Sequence, residues 1–118
     1  MRDHSKLKVF ELADRLVLLI YAETGLFSAT ERYGLQSQIR RAAISIVANI
    51  VEGCARSSQA EYLRFMEIAY GSARELQYEI GLSAKLGFLN PQSASQLDHE
   101  CTSIAKSLNA LLRSLREP

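Results

Sequence analysis

Apolar residues spaced alternately four and three apart constrain this chain more than any other feature. Near the C-terminus, Leu97, Cys101, Ile104, Leu108, Leu111 and Leu115 fall at intervals of 4-3-4-3-4. That spacing puts all six along one side of a helix. Lys106, Asn109 and Arg113 fall off the seam, as a solvated face requires. Tyr62, Met66, Ala69, Ala73, Leu76 and Ile80 form a second seam, and Ile39, Ala43, Ile46 and Ile50 a third. The N-terminal segment is apolar over a broader arc, with Phe10, Ala13, Val17 and Ile20 on one side and Val9, Leu12, Leu16 and Leu19 beside it. No stretch alternates with period two for long enough to make a sheet, and no internal repeat or low-complexity segment interrupts the pattern.

Boundary signals divide the chain into four helices, about 8–23, 35–55, 59–86 and 91–116. Ser58 with Glu61 three residues later is a capping box, and Asn90-Pro91 joins a capping residue to the imino acid favoured in the first helical turn. Gly87 suits a left-handed helix end. Ser28-Ala29-Thr30-Glu31 is a second capping box and predicts a short helical turn closing at Gly34. Ala69, Gly71 and Ala73 suggest close approach by a neighbour, since Gly71 otherwise weakens the helix by about 1 kcal/mol against alanine. With 118 residues, residues 1–118 form one domain with one core. The expected architecture is all-α, an antiparallel up-down four-helix bundle.

The second helix carries more apolar surface than one core needs. Ile44, Val47 and Val51 form a stripe beside the core seam, and its cover is either the first helix or another subunit. Self-association is the expectation, with this stripe as the oligomer face. The remaining sector holds Gln38, Arg41, Ser45, Asn49, Glu52 and Arg56. Arg41, Ser45, Asn49 and Glu52 read as a structural network, with Arg41 and Glu52 pairing to third-helix residues such as Glu75 or Arg74. The other reading of the same stripe is a ligand groove.

Several function classes find no support. The longest apolar run, Leu16 to Ala22, is seven residues, against ~20 for a membrane span. Without a cleavage-site pattern after that run, no signal peptide is read, and a cytoplasmic location is expected. There is no Glu-x-x-His pair, phosphate loop or haem motif, and His4 and His99 lack a catalytic setting, so no catalytic residue, cofactor or metal site is assigned. Cys54 and Cys101 have no metal-type spacing. In an up-down bundle they lie roughly 17 Å apart at 1.5 Å per residue, too far for a disulfide, which needs Cα atoms within about 7 Å.

The run Gln38-Ile39-Arg40-Arg41-Ala42-Ala43-Ile44-Ser45-Ile46-Val47-Ala48-Asn49-Ile50-Val51-Glu52-Gly53 closely resembles the signature of the four-helix-bundle family of 23S rRNA intervening-sequence proteins. That pattern reads approximately Q-x-R-R-A-A-x-S-I-x-x-N-I-A-E-G, with Val51 at the position of the commoner alanine. Tyr33-Gly34-Leu35, Ala69-Tyr70-Gly71-Ser72 with Glu75-Leu76, and Gly87-Phe88-Leu89 extend the likeness over nearly the whole chain. The resemblance implies a ring of five subunits. It also relates the chain to accessory proteins of diversity-generating retroelements, which are thought to bind nucleic acid and a reverse transcriptase. Those relatives look strongly basic, whereas this chain has a formal net charge of +1.

Charge is nevertheless uneven. Between Arg32 and Arg64 stand five arginines, Arg32, Arg40, Arg41, Arg56 and Arg64, against Glu52 and Glu61. RNA or DNA is therefore one expected partner, contacted through Arg32, Arg56 and Arg64 near the helix ends, while packing claims Arg40 and Arg41. A ring would repeat any such patch around an axis. The alternative is a scaffold whose partner is another protein, which suits the near-neutral charge. The sequence offers no aromatic stacking platform beside these arginines.

Overall fold

The computed structural model describes residues 1–31 and 33–116, and these fold as a bundle of four long helices with no strand. They are α1 (Lys8–Thr24), α2 (Leu35–Cys54), α3 (Gln59–Lys85) and α4 (Pro91–Arg116), with short 3-10 turns at His4–Lys6 and Ala29–Glu31. Each helix packs on its sequence neighbours and α1 closes on α4. Among the described residues no Cα atoms of the diagonal pairs, α1 with α3 and α2 with α4, come within 8 Å of one another. Side-chain register shows that neighbours run antiparallel: Ser45 meets Ser72 and Gly53 meets Met66 across α2 and α3, while Gln77 meets Thr102 and Glu67 meets Arg116 across α3 and α4.

Local chemistry sets the ends of these rods. The Ser58 hydroxyl accepts from the Glu61 amide at 3.2 Å, and the Asn90 carboxamide accepts from the Ser93 amide at 2.8 Å. At the end of α3, Gly87 adopts φ 84°. The Phe88 amide then donates to the Ser83 carbonyl at 2.8 Å and the Gly87 amide to the Ala84 carbonyl at 3.1 Å, a Schellman closure. The Ser28 capping box does not form as the sequence suggests. Its hydroxyl bonds the Thr30 hydroxyl at 2.8 Å, and Glu31 reaches forward to the Leu35 amide at 3.4 Å, at the start of α2. A carboxylate there also complements the positive end of the α2 dipole.

The core follows the seams with informative departures. All six seam residues of α3 and all four of α2 are buried. On α4 the seam passes from Leu108 to Leu112, leaving Leu111 and Leu115 half-buried. A straight helix at 3.6 residues per turn drifts about 20° per heptad against a strict 3.5 repeat, so the buried line moves to a neighbouring column. In α1 the buried line is Val9, Ala13, Leu16, Ile20 and Thr24, drawn from both predicted sides. Cys54 and Cys101 are buried free thiols, and burial, reinforced by the Asp98 and Glu100 carboxylates, pushes the Cys101 thiol up to about 12.

The glycines behave oppositely. A Cβ on Gly53 would stand 2.7 Å from the Met66 methyl and 2.8 Å from the Phe65 Cβ, so α2 and α3 touch there because a side chain is missing. Around Gly71 nothing lies within 4 Å, and the close approach expected there is absent within the subunit. Gly53→Ala should therefore destabilise by about 1–3 kcal/mol through overpacking, overriding its gain in helix propensity. Gly71→Ala should stabilise by about 1 kcal/mol. Urea denaturation of both variants checks the contrast, and equal effects would contradict it.

Candidate functional site

On the outer side of α2, the polar stripe divides into two parts. Ser45 and Ser72 share a hydroxyl–hydroxyl bond of 2.8 Å, and the Asn49 carboxamide donates to the Ser45 carbonyl at 2.7 Å and its hydroxyl at 3.1 Å. This half joins α2 to α3. Glu52 instead takes Arg56 one turn away, at 2.7 Å, and Arg74 donates to Gln77 at 3.3 Å. Arg41 is exposed and has no carboxylate within 4.0 Å among the described residues. The expected pairing of Arg41 and Glu52 with Glu75 or Arg74 is thus not what forms. A helical neighbour at i+4 competes better for Glu52, and a fully hydrated guanidinium gains little from an exposed pair.

Beside that stripe, α2 shows apolar surface to solvent. Ile44 is 44% exposed, Ala48 is exposed, and Val47 and Val51 are half-buried, with Val47 also packing on the core. On α3, Ile68 and Tyr78 are exposed on either side of Gly71. Each of the two helices thus exposes apolar side chains, with the Ser45–Ser72 bond at the junction between them.

The arginines separate by their company. Arg32 lies outside the described residues. Arg56 and Arg64 are exposed but ion-paired, to Glu52 at 2.7 Å and Glu61 at 3.6 Å, and their guanidinium carbons lie 5.0 and 5.3 Å from the Phe65 ring centroid. Arg2 stacks 3.7 Å from the Tyr62 ring centroid. One end of the bundle thus gathers three guanidinium groups over two aromatic rings.

A groove of about 430 Å³ opens between α1 and the start of α2, lined by Tyr21, Tyr33, Gln36, Ser37, Arg40, Arg41 and Ile44. Arg40 donates to the Thr24 hydroxyl at 2.9 Å and the Tyr21 carbonyl at 3.3 Å, and its guanidinium carbon sits 4.3 Å from the Tyr21 ring centroid. Gln36 donates to the Thr24 carbonyl at 2.8 Å. The sequence reading missed this set. Tyr21 and Arg40 are 19 residues apart, and only the antiparallel packing of α1 on α2 brings aromatic rings to these arginines. Packing claims Arg40, as expected, but leaves Arg41 open.

One carboxyl stands out electrostatically. Glu79 Oε1 is buried without a hydrogen-bond partner. Burial, and then the Glu75 carboxylate one turn earlier, push Glu79 from the ordinary 4.5 up to about 7. Among the described residues no group of three or more His, Cys, Asp or Glu is placed to hold a metal ion, and no helix is long and apolar enough to cross a membrane.

A model of the 23S rRNA-intervening sequence protein family matches residues 5–110. The chain belongs to that family. A crystal structure from Bacteroides thetaiotaomicron, described as a protein of unknown function from the S23 ribosomal protein family, superposes on it with a TM-score of 0.82. At 23% identity, over 88% of this chain and 97% of that one, the likeness establishes a shared fold. No curated protein matches the chain. The signature run spans most of α2: Ile39, Ala43, Ile46, Ile50 and Gly53 are buried, Ser45 ties that helix to α3 through Ser72, and Asn49 braces Ser45 from within α2.

Glu79 yields a pH prediction. Its folded-state value lies above the unfolded one, so its contribution to stability is complete below about 4.5 and is lost as pH rises to about 7. Glu79→Gln should therefore gain stability over the parent protein across that interval and keep a constant advantage above it. Denaturant midpoints of both proteins measured from pH 4 to 8 check this; a difference independent of pH would contradict it.

Proposed function

We propose that this family member is a self-assembling, non-catalytic helical bundle whose α2 face seats a neighbouring copy. The apolar surface of exposed Ile44 and Ala48, with half-buried Val51 beside them, carries the reading. Ile44 lies on a helix that already buries a complete core seam, so its exposed surface is free for a partner. A five-membered ring is the form that the family resemblance implies, and heterologous contacts close into rings when the rotation permits. Ala48→Glu introduces a charge at an exposed position and should dissociate the assembly while leaving helicity and monomer stability near the parent values. Light scattering after size exclusion measures it. A monomeric parent protein at tens of micromolar would refute assembly, and an intact Ala48→Glu oligomer would place the interface elsewhere.

A second reading, nucleic-acid binding by the assembled particle, draws on the arginine–aromatic end formed by Arg2, Arg56 and Arg64 with Tyr62 and Phe65. Arginines that release counterions from phosphates give an affinity that falls steeply with salt. Glu52 and Glu61 already neutralise two of the three, so each copy contributes weakly and the particle relies on repetition. Fluorescence anisotropy with single-stranded RNA across a salt series should show binding that weakens in Arg56→Gln/Arg64→Gln and again on dissociation by Ala48→Glu. Absence of binding at low salt would leave a protein-interaction scaffold as the better account.

A further inference from the structure

The groove between α1 and α2 is separate from that end; Arg40 lies 14 residues before the end of α2 at Cys54, roughly 21 Å along the helix axis, and Arg56 lies just beyond that end. It combines two features. Both of its guanidinium groups lack a carboxylate within 4.0 Å among the described residues, as those of Arg2 and Arg74 also do, whereas Arg15, Arg56, Arg64 and Arg116 each have one. Its rim also carries two accessible phenol rings, Tyr33 at 91% exposure and Tyr21 at 41%. The positive charge is unbalanced and the aromatic surface is uncovered in the same place.

Arg40 is held before any ligand arrives. The Thr24 hydroxyl, the Tyr21 carbonyl and the Tyr21 ring fix its guanidinium, so little of its freedom remains to be lost on binding. Arg41 is exposed on the adjoining side of the groove and free to close on a ligand. Two neighbouring guanidinium groups call for an oxyanion with more than one negative charge; a single carboxylate would neutralise one and leave the other. A phosphate monoester matches both the charge and the supply of oxygen acceptors. The tyrosines require something flat beyond that phosphate. Gln36, whose amide nitrogen is committed to Thr24, retains its carbonyl oxygen for an amine donor on the flat group. The volume of about 430 Å³ lies within the roughly 300–1,000 Å³ of small-molecule sites.

We propose that this groove binds a nucleoside phosphate, with the phosphate between Arg40 and Arg41 and the base against Tyr33. The ligand is either a free mononucleotide or the 5′-phosphorylated end of a single strand, since both present a phosphate monoester beside a base. The proposal goes beyond assembly and beyond the arginine–aromatic end, and needs neither to be correct.

Isothermal titration of the full chain at low salt tests it with four probes: AMP, adenosine, inorganic phosphate and a short 5′-phosphorylated oligoadenylate. AMP should bind more tightly than adenosine or phosphate alone. Arg40→Gln and Arg41→Gln should each weaken AMP by roughly tenfold or more. Tyr33→Ala should weaken AMP by roughly tenfold and leave phosphate unchanged, and Tyr33→Phe should restore it. Tyr33 is exposed, so its loss does not disturb the fold; Arg113→Gln, on α4, serves as the unaffected control. If oligoadenylate also binds and loses affinity with the same substitutions, the source is a strand; if AMP alone responds, it is the free nucleotide. No binding of millimolar AMP, or phosphate binding as tightly as AMP, would overturn the proposal. So would a glutamate-rich peptide that occupies the groove in place of AMP, which would assign it to a protein partner. Failure of the Arg56→Gln/Arg64→Gln prediction alongside intact AMP binding would refute the basic-end reading alone.

Discussion

The contact between α2 and α3 at Gly53 organises the molecule. Without a Cβ there, the Phe65 and Met66 side chains lie directly against the α2 backbone, and this fixes both the separation and the register of the two helices. Register then determines which side chains meet. Ser45 arrives opposite Ser72, and Asn49 closes the Ser45 backbone and hydroxyl into one network. Because that network sits at the margin of the seam, the helix sector beyond it is left facing outward. The apolar face of α2 follows from a glycine two turns below its centre.

Charge is distributed in two unlike ways on this nearly neutral chain. At the Arg56–Arg64 end, each cation stands beside a carboxylate on its own helix, and the aromatic rings beneath serve as much to pack the guanidinium stems as to attract the charge. At the opposite end of α2, the Arg40 guanidinium is held by neutral groups, a hydroxyl and a carbonyl. Neutral acceptors orient a guanidinium without cancelling its charge. Proximity in sequence shows where the arginines cluster, but not which of them are held by neutral groups from another helix.

The fold was legible because its determinants are periodic and local. The seams of α2 and α3, the Ser58 and Asn90 caps and the Gly87 closure all follow from residues within one or two turns of each other. The broad α1 surface was ambiguous because Val9, Phe10, Leu12 and Val17 are equally apolar, and only packing against α2 and α4 selects among them. Gly71 misled for a related reason: a small residue permits a close neighbour but does not supply one. The candidate site was mostly illegible. Tyr21 and Thr24 end α1, Tyr33 lies between the helices and Arg40 is on α2, and no spacing rule links the three places before α1 folds back along α2.

Thr24 joins these levels of organisation. Its buried hydroxyl donates to the Ile20 carbonyl at 2.6 Å and accepts from Arg40 at 2.9 Å, so the last turn of α1 and the mouth of the groove share one oxygen atom. One oxygen atom therefore both closes the last turn of α1 and anchors the Arg40 guanidinium on α2, so the end of one helix and the charge on the next have a common point of attachment.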